Sequence, residues 1–305
     1  MGEPLFMDKA AFERQLEEET EWIEEKIQGF LPEGITLQNT VYKAMKYSIM
    51  AGGKRLRPMF MWEAYKMSGG EDESVVLPFM AAIEMIHTYS LVHDDLPAMD
   101  NDEYRRGMKT THIVYGEDMG ILAGDALLNY AFETALSCFS DGTDIMLKAR
   151  ALKVLANKSG IYGMLGGQVV DVEKTGKPLS KEEMDFIYSL KTGALIEAAF
   201  MAGAVLAGAD SNIVEAFEKA GHCIGMAFQI QDDILDIIST PEELGKPVHS
   251  DERNEKSTYV AVYGMDNALK AVKEYSGQAL GILSSMPVQN SYLNTLARML
   301  INRKK

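Results

Sequence analysis

VVLPFMAAIEMIHTYSLVHDD, Val75–Asp95, is the stretch whose reading decides the fold. It is apolar almost throughout and shows no period-two alternation, so it predicts a helix buried on all sides. Helical spacing recurs on either side of it. AAFERQLEEETEWIEEKIQGF sets Phe12, Leu16, Trp22 and Ile23 among acids, as an amphipathic helix does. TVYKAMKYSIMAGG reads as a helix stopped by Gly52 and Gly53. The segments opening at Met119, Lys148, Lys181, Asn212, Asp266 and Ser291 continue the pattern. Turn and loop chemistry separates them at MSGGEDES, EKTGKPLS, GADSN, STPEELGKPVHSDERNEKS and SMPVQNS. None of these breaks has the character of an interdomain linker, and no strand pattern stands out. The expectation is one all-α domain over 1–305, a single-domain helical bundle.

Composition narrows the function classes. The net charge of −15 disfavours nucleic acid as the main partner, because a phosphate backbone calls for a basic footprint. No apolar run is read as long enough to span a bilayer, and the acidic start MGEPLFMDKAAFERQLEEETEW does not fit a signal peptide. No stable membrane anchor is expected. Cys138 and Cys223 form no framework and suit buried thiols of a reducing cytoplasm. The 20 methionines are expected to fill core gaps, with some lining an apolar cavity.

The helix of Val75–Asp95 runs directly into acid. LVHDDLPAMDNDEYRRG holds Asp94, Asp95, Asp100, Asp102 and Glu103, then Arg105 and Arg106. Asp94 and Asp100 lie about 240° apart on an ideal helix. They can meet only if the chain bends, and Pro97 stands between them to break the ladder. A second cluster, FQIQDDILD, sets Asp232 and Asp236 one turn apart, with Gln229 on the same side. Asp233 stands about 100° off that face. Both clusters sit in apolar surroundings, where carboxylates need cations or must take up protons. With few histidines and no cysteine beside them, they favour a hard, oxygen-loving ion, Mg²⁺ above others, bridging to phosphate. For one cluster taken alone, salt-bridged or helix-capping acids explain the pattern equally well. Phosphate-binding cations should then lie nearby, and Lys54, Arg55, Arg57, Arg105, Arg106, Lys191, Lys246 and Lys256 all stand in glycine-, proline- or threonine-rich turns.

GGKRLRP (52–58), HTYSLVHDDLPAMDNDEYRRG (87–107), GDALL (124–128), GGQVVD (166–171), KTGALI (191–196), FQIQDDILD (228–236) and EKSTY (255–259) together resemble the trans-prenyl diphosphate synthases, in that family's order and spacing. The bacterial farnesyl diphosphate synthases are the most similar branch. The resemblance implies an all-α bundle around a deep central cavity, a homodimer, and three Mg²⁺ ions bound with diphosphate. It implies Asp94 and Asp100 as ligands of the first motif with Asp95 in support, and Asp232 in the second with Asp233 and Asp236 near the shell. Arg105, Lys191 and Lys256 match the residues that hold the allylic diphosphate, with Lys246 beside them. Lys54, Arg57, His87 and Arg106 match the isopentenyl diphosphate site. Thr192 and Gln229 match groups steadying the allylic end, and Gln168 with Asp171 a polar pair beside it. The basic tail INRKK resembles one that closes over the isopentenyl site. No side chain stands out as the base, and released diphosphate is expected to accept the proton.

Product length is expected to be read along the helix before Asp94. Tyr89 and Ser90 precede it by five and four positions. One turn is about 5.4 Å, close to an isoprene length. Tyr89 is the expected floor, which favours a C15 product over C20. The ideal pitch, however, puts Ser90 about 40° from Asp94 and Tyr89 about 140°. Other readings stay open: a C20 or mixed-product synthase, a noncatalytic partner subunit, a terpene cyclase, and a di-iron bundle using Glu84 and His87.

Overall fold

The structure is a computed structural model that describes residues 5–34, 36–238 and 257–301. In chain order the helices are α1 (Lys9–Gly29), α2 (Asn39–Ile49), α3 (Leu56–Met67), α4 (Glu73–Asp94), α5 (Thr111–Tyr115), α6 (Glu117–Ser137), α7 (Ile145–Ser159), α8 (Met164–Lys174), α9 (Lys181–Ile187), α10 (Ala194–Leu206), α11 (Ser211–Ile238), α12 (Tyr259–Tyr263), α13 (Met265–Ser284) and α14 (Ser291–Ile301). The fold is all-α, as expected. Side-chain caps start several of these helices. Asp72 accepts from Ser74 N at 2.9 Å to open α4. Ser180 and Glu183 form a reciprocal capping box on α9. Thr258 accepts from Ala261 N to open α12.

Helix α4 is the core element, packed against α6, α3 and α10. Helix α10 in turn packs on α3, α7 and α11. Phe60 of α3, Phe200 of α10 and Phe217 of α11 stack in series, with ring centroids 4.8 and 5.6 Å apart. By length and composition two helical stretches, Glu73–Asp94 and Lys181–Leu206, are apolar enough to cross a membrane, against the sequence reading. Most of each is buried in this core. Their hydropathy is that of helices covered on all sides by protein.

Two local features depart from a plain helical reading. The stretch Lys181–Leu206 is not one α-helix: Tyr188–Gly193 forms a π-helical turn between α9 and α10. A short antiparallel hairpin, β1 (Tyr104–Arg105) and β2 (Met108–Lys109), follows the first acid cluster. Its two turn residues, Arg106 and Gly107, have φ of 54° and 77°. Both values are positive, as a two-residue hairpin turn that follows the strand twist requires. Glycine takes this conformation freely, whereas Arg106 takes it at a steric cost.

An acid pair, Glu63 buried and Glu19 half-buried, links α1 and α3 to the start of α14. Glu19 of α1 and Glu63 of α3 share Lys66, at 3.8 and 2.7 Å. Asn290, just before α14, donates to Glu63 at 2.5 Å. Burial, then the Glu63 charge, push the Glu19 carboxyl up from 4.5 to about 7. Glu19 therefore holds its proton more tightly folded than unfolded. The associated stabilisation is complete at low pH and is lost as pH rises from about 4.5 to about 7. It amounts to about 3 kcal/mol. Glu19→Gln should remove it, so denaturant titrations should show the variant gaining on the native chain between pH 5 and 7 and level above. An offset constant across that range would refute the assignment.

Candidate active site

Helix α4 ends at Asp94, and Asp95 caps it. The chain then turns through Pro97, and Asp100 N donates to Asp94 O at 2.8 Å. The bend required by the sequence spacing is therefore present, and it brings Asp100 back beside Asp94. The neighbouring acids divide by burial. Asp94 and Asp100 are half-buried, while Asp95 is buried. Asp95 Oδ1 accepts from Arg105 Nε and Nη2, each at 2.7 Å. Burial pulls the Arg105 guanidinium down, but Asp95, Asp94 and Asp102 outweigh it and hold it above its ordinary value. Asp95, expected to support the metal ligands, is the seat of Arg105.

A cavity of ≈ 460 Å³ opens beside Asp94. Its polar end carries Arg57, His87, Asp94, Gln168, Lys191 and Thr192, and Tyr89, Leu96, Ile121, Met164 and Leu165 are among its apolar lining. Tyr89 and Ser90 both line it, together with Leu91 and His93. The cavity therefore wraps round the end of α4, and the ideal-pitch angle between Tyr89 and Asp94 does not keep the tyrosine out. The Tyr89 ring meets His93 edge-on, with centroids 5.9 Å apart. His93 Nε2 pairs with Ile121 O at 3.1 Å. The imidazole fills a notch left by Gly124, where a Cβ would come within 2.1 Å of Nε2.

Short polar links run round the mouth from the first acid cluster to the second. Gln168 of α8 donates to Asp94 Oδ1 at 2.7 Å. Asp171, one turn on, accepts from Lys191 Nζ at 2.5 Å. Thr192 Oγ1 donates to Gln229 Oε1 at 2.8 Å, and Gln229 Nε2 reaches Asp233 Oδ1 at 3.4 Å. Lys191 and Thr192 both stand on the π turn, a feature concentrated at functional sites. The turn is wedged between α8 and α11 by glycines. A Cβ on Gly167 would lie 2.4 Å from Lys191 N, and one on Gly225 would lie 2.6 Å from Gly193 Cα. Behind it Glu197, buried, is shared by Lys158 and His222. Burial pushes Glu197 up, but these two partners outweigh it and hold its carboxyl below the usual value.

A second recess of ≈ 360 Å³, lined by Gly53, Lys54, Arg57, Glu84, His87, Arg106 and Phe228 among others, meets the first at Arg57 and His87. Burial lowers Arg57 to about 10, and Arg106 adds to this. Its Nε is buried without a hydrogen-bond partner, a donor suited to an incoming anion. His87 is held well below its ordinary value by burial and then by Arg57, Arg106, Arg105 and Arg55. It is therefore a neutral imidazole among cations. Arg106 Nη1 donates to Gly52 O, and its guanidinium occupies the space a Gly53 side chain would need. Arg55 is different: it is buried and donates to Glu24 at 3.1 Å, Glu84 at 2.8 Å and Ile49 O at 2.7 Å. It braces the recess from inside and is not one of the phosphate cations it resembled in the sequence. Since Glu84 is committed to Arg55, the di-iron reading loses its carboxylate.

On α11, Asp232 is half-buried, while Asp233 and Asp236 are buried. Asp233 Oδ2 accepts from the Tyr188 hydroxyl and, at 2.5 Å, from Tyr259 N. Like Asp95, it has partners from within the protein. Sequence reasoning missed Tyr188, because an aromatic within an apolar helix reads as core. Lys246, Lys256 and the 302–305 tail lie outside the described residues. Among the described residues, no three carboxylate, imidazole or thiolate groups close into a cage for an ion. The donors at the mouth are carboxylate oxygens. This set suits Mg²⁺, which binds through one or two carboxylates plus phosphate oxygens and water.

Together the bent acid motif, the ring of polar links and the paired recesses define a helical diphosphate-handling enzyme. The chain belongs to the polyprenyl synthetase family, whose model matches residues 38–286. It is a prenyltransferase of isoprenoid synthesis. It is 42% identical over 262 residues to the farnesyl diphosphate synthase of Geobacillus stearothermophilus, covering 86% of this chain and 88% of that one. It is 45% identical over 257 residues to the geranylgeranyl diphosphate synthase of Cyanophora paradoxa, covering 84% of each. Its structure matches the crystal structure of an FPP/GFPP synthase from Zymomonas mobilis with a TM-score of 0.85 at 31% identity, over 96% of this chain and 99% of that one. These relatives' names span several product lengths, so similarity alone does not choose among them.

Proposed function

We propose that this enzyme is a farnesyl diphosphate synthase, joining isopentenyl diphosphate head-to-tail to dimethylallyl and then geranyl diphosphate. The observation that carries the reading is the chain of links from Asp94 through Gln168, Asp171, Lys191 and Thr192 to Gln229. Asp94, Gln168, Lys191 and Thr192 of that chain line an apolar cavity that joins a separate cationic recess at Arg57 and His87. In this reading Asp94, Asp100 and Asp232 would hold Mg²⁺, with Asp236 nearby, and the metal would supply positive charge to stabilise the leaving diphosphate. Arg105 and Lys191 orient that diphosphate, with Lys246 and Lys256 assigned beside them. Lys54, Arg57, His87 and Arg106 hold isopentenyl diphosphate. The allylic C–O bond breaks, Thr192 and Gln229 present their dipoles to the cation, and the isopentenyl double bond attacks it. A proton then leaves to the released diphosphate.

The same reading treats residues 1–305 as one polyprenyl synthase domain acting as a soluble, cytoplasmic homodimer. Ile113 and Val114 on α5 and Leu122 on α6 are exposed apolar side chains, as a dimer contact requires. The test is incubation with isopentenyl diphosphate and each allylic primer, with and without Mg²⁺, followed by product sizing. The expected result is a C15 diphosphate and inorganic diphosphate, formed only with the metal. A C20 product would select the geranylgeranyl alternative. Metal-independent turnover, or none, would overturn the assignment.

A further inference from the structure

The second acid motif contains adjacent aspartates, and the fold separates their work. Asp232 is half-buried, whereas Asp233 is 2% exposed. Successive helical residues lie about 100° apart, so the two carboxylates leave α11 in different directions. Asp233 Oδ2 accepts from the Tyr188 hydroxyl and from Tyr259 N. Tyr259 N also lies 3.2 Å from the Tyr188 hydroxyl oxygen, which closes a three-membered cluster. Both tyrosines are buried and their rings pack 6.1 Å apart. Oδ1 meets Gln229, which in turn accepts from Thr192.

The position of these partners gives the cluster its meaning. Tyr188 is the first residue of the π turn that presents Lys191 and Thr192, and Tyr259 opens α12. A π turn carries one residue more than an α turn, is rare, and needs packing or tethering to persist. Here the glycines at 167 and 225 make room for it, but an open space does not hold a turn in place. A buried carboxylate that takes two donors does, because losing either leaves charge unsatisfied in an apolar setting.

We infer that Asp233 is a positioning residue that clamps the start of the π turn to the start of α12, and so fixes Lys191 and Thr192 at the cavity mouth, while metal binding in this motif falls to Asp232. The inference rests on the proposed roles of Lys191 and Thr192. The decisive variant is Tyr188→Phe, which removes one hydrogen bond and no carboxylate and keeps the buried ring. It is compared with Asp233→Ala, the Tyr188→Phe/Asp233→Ala double variant and Asp232→Asn. Three quantities are read: condensation kcat, the Mg²⁺ concentration giving half-maximal rate, and the thermal midpoint. Calorimetry with inorganic diphosphate and Mg²⁺ adds a readout that needs no turnover.

The expected result is that Tyr188→Phe lowers kcat about 10-fold with an unchanged Mg²⁺ requirement and a lowered melting midpoint. The double variant should melt no lower than Asp233→Ala alone, since both act on one contact. Asp232→Asn should instead raise the Mg²⁺ requirement and weaken metal-dependent diphosphate binding at an unchanged midpoint. Should Tyr188→Phe keep native kcat and midpoint while Asp233→Ala shifts the Mg²⁺ requirement as Asp232→Asn does, Asp233 is a ligand and the clamp is wrong. Additive losses of melting midpoint in the double variant would also overturn it. If the native chain turned over no substrate, the functional reading would fail, and the melting cycle would still decide the clamp.

Discussion

Asp94→Asn is expected to lower condensation turnover by about 10²–10³-fold, the scale set by removing one well-placed electrostatic group. The substitution leaves the shape of the site unchanged. An amide oxygen at the same position still accepts the bond that Gln168 makes at 2.7 Å. Asp100 N donates to the Asp94 backbone carbonyl, which the substitution does not touch. The bend at Pro97 therefore stays, and the thermal midpoint should move by no more than about 2 °C. What is lost is one negative charge among the carboxylates that would hold Mg²⁺. The half-saturating Mg²⁺ concentration should rise with the loss of turnover. A variant that kept a tenth of native turnover at native Mg²⁺ demand would remove Asp94 from the metal site.

Tyr89→Ala is expected to change the main product from C15 to C20. The Tyr89 ring is buried, lines the cavity and is backed by His93. His93 is itself held by Ile121 O and by the notch at Gly124. In the proposed role of floor the ring would be rigidly backed, so that a growing chain would not push it aside. Deleting the ring frees about one helical turn of depth, 5.4 Å, which is close to the length of one isoprene unit. The phenol cannot ionise to complicate the outcome: burial, then the Asp94 charge, push it up to about 12. Loss of a buried aromatic should cost about 3 kcal/mol of stability. Chromatography of the dephosphorylated products reads the result. An unchanged C15 product would move the floor elsewhere in the cavity.

Much of this site was legible in the sequence because spacing and chain-breaking residues carry geometry. Asp94 and Asp100 could meet only through a bend, and Pro97 supplied it. Two features were not legible, each for a physical reason. The π turn adds one residue to a segment apolar on all sides, and a shift of register is invisible where every face is alike. The split within each acid pair was hidden because Asp94 and Asp95, or Asp232 and Asp233, are chemically identical. Burial alone assigns one of each pair to a partner inside the protein, Arg105 or Tyr188. The same limit applied to Arg55 beside Arg57. A third case concerns Tyr89, where pitch arithmetic gave an angle correctly but assumed a cavity on one side of α4. The cavity curves round the helix end, so the angle did not decide the matter.

The hairpin after the first acid motif has a consequence for how this surface can change. Arg105 sits in a strand and is seated on Asp95, whereas Arg106 sits in the turn and lines the recess beside Gly53, although they are neighbours in sequence. Inserting one residue before Arg105 would keep every cation and leave the net charge untouched, yet it would send the first arginine away from Asp95 and bring the wrong one into the turn. A change of length in this loop would therefore alter which arginine meets Asp95 and which lines the recess, while composition and net charge stayed the same.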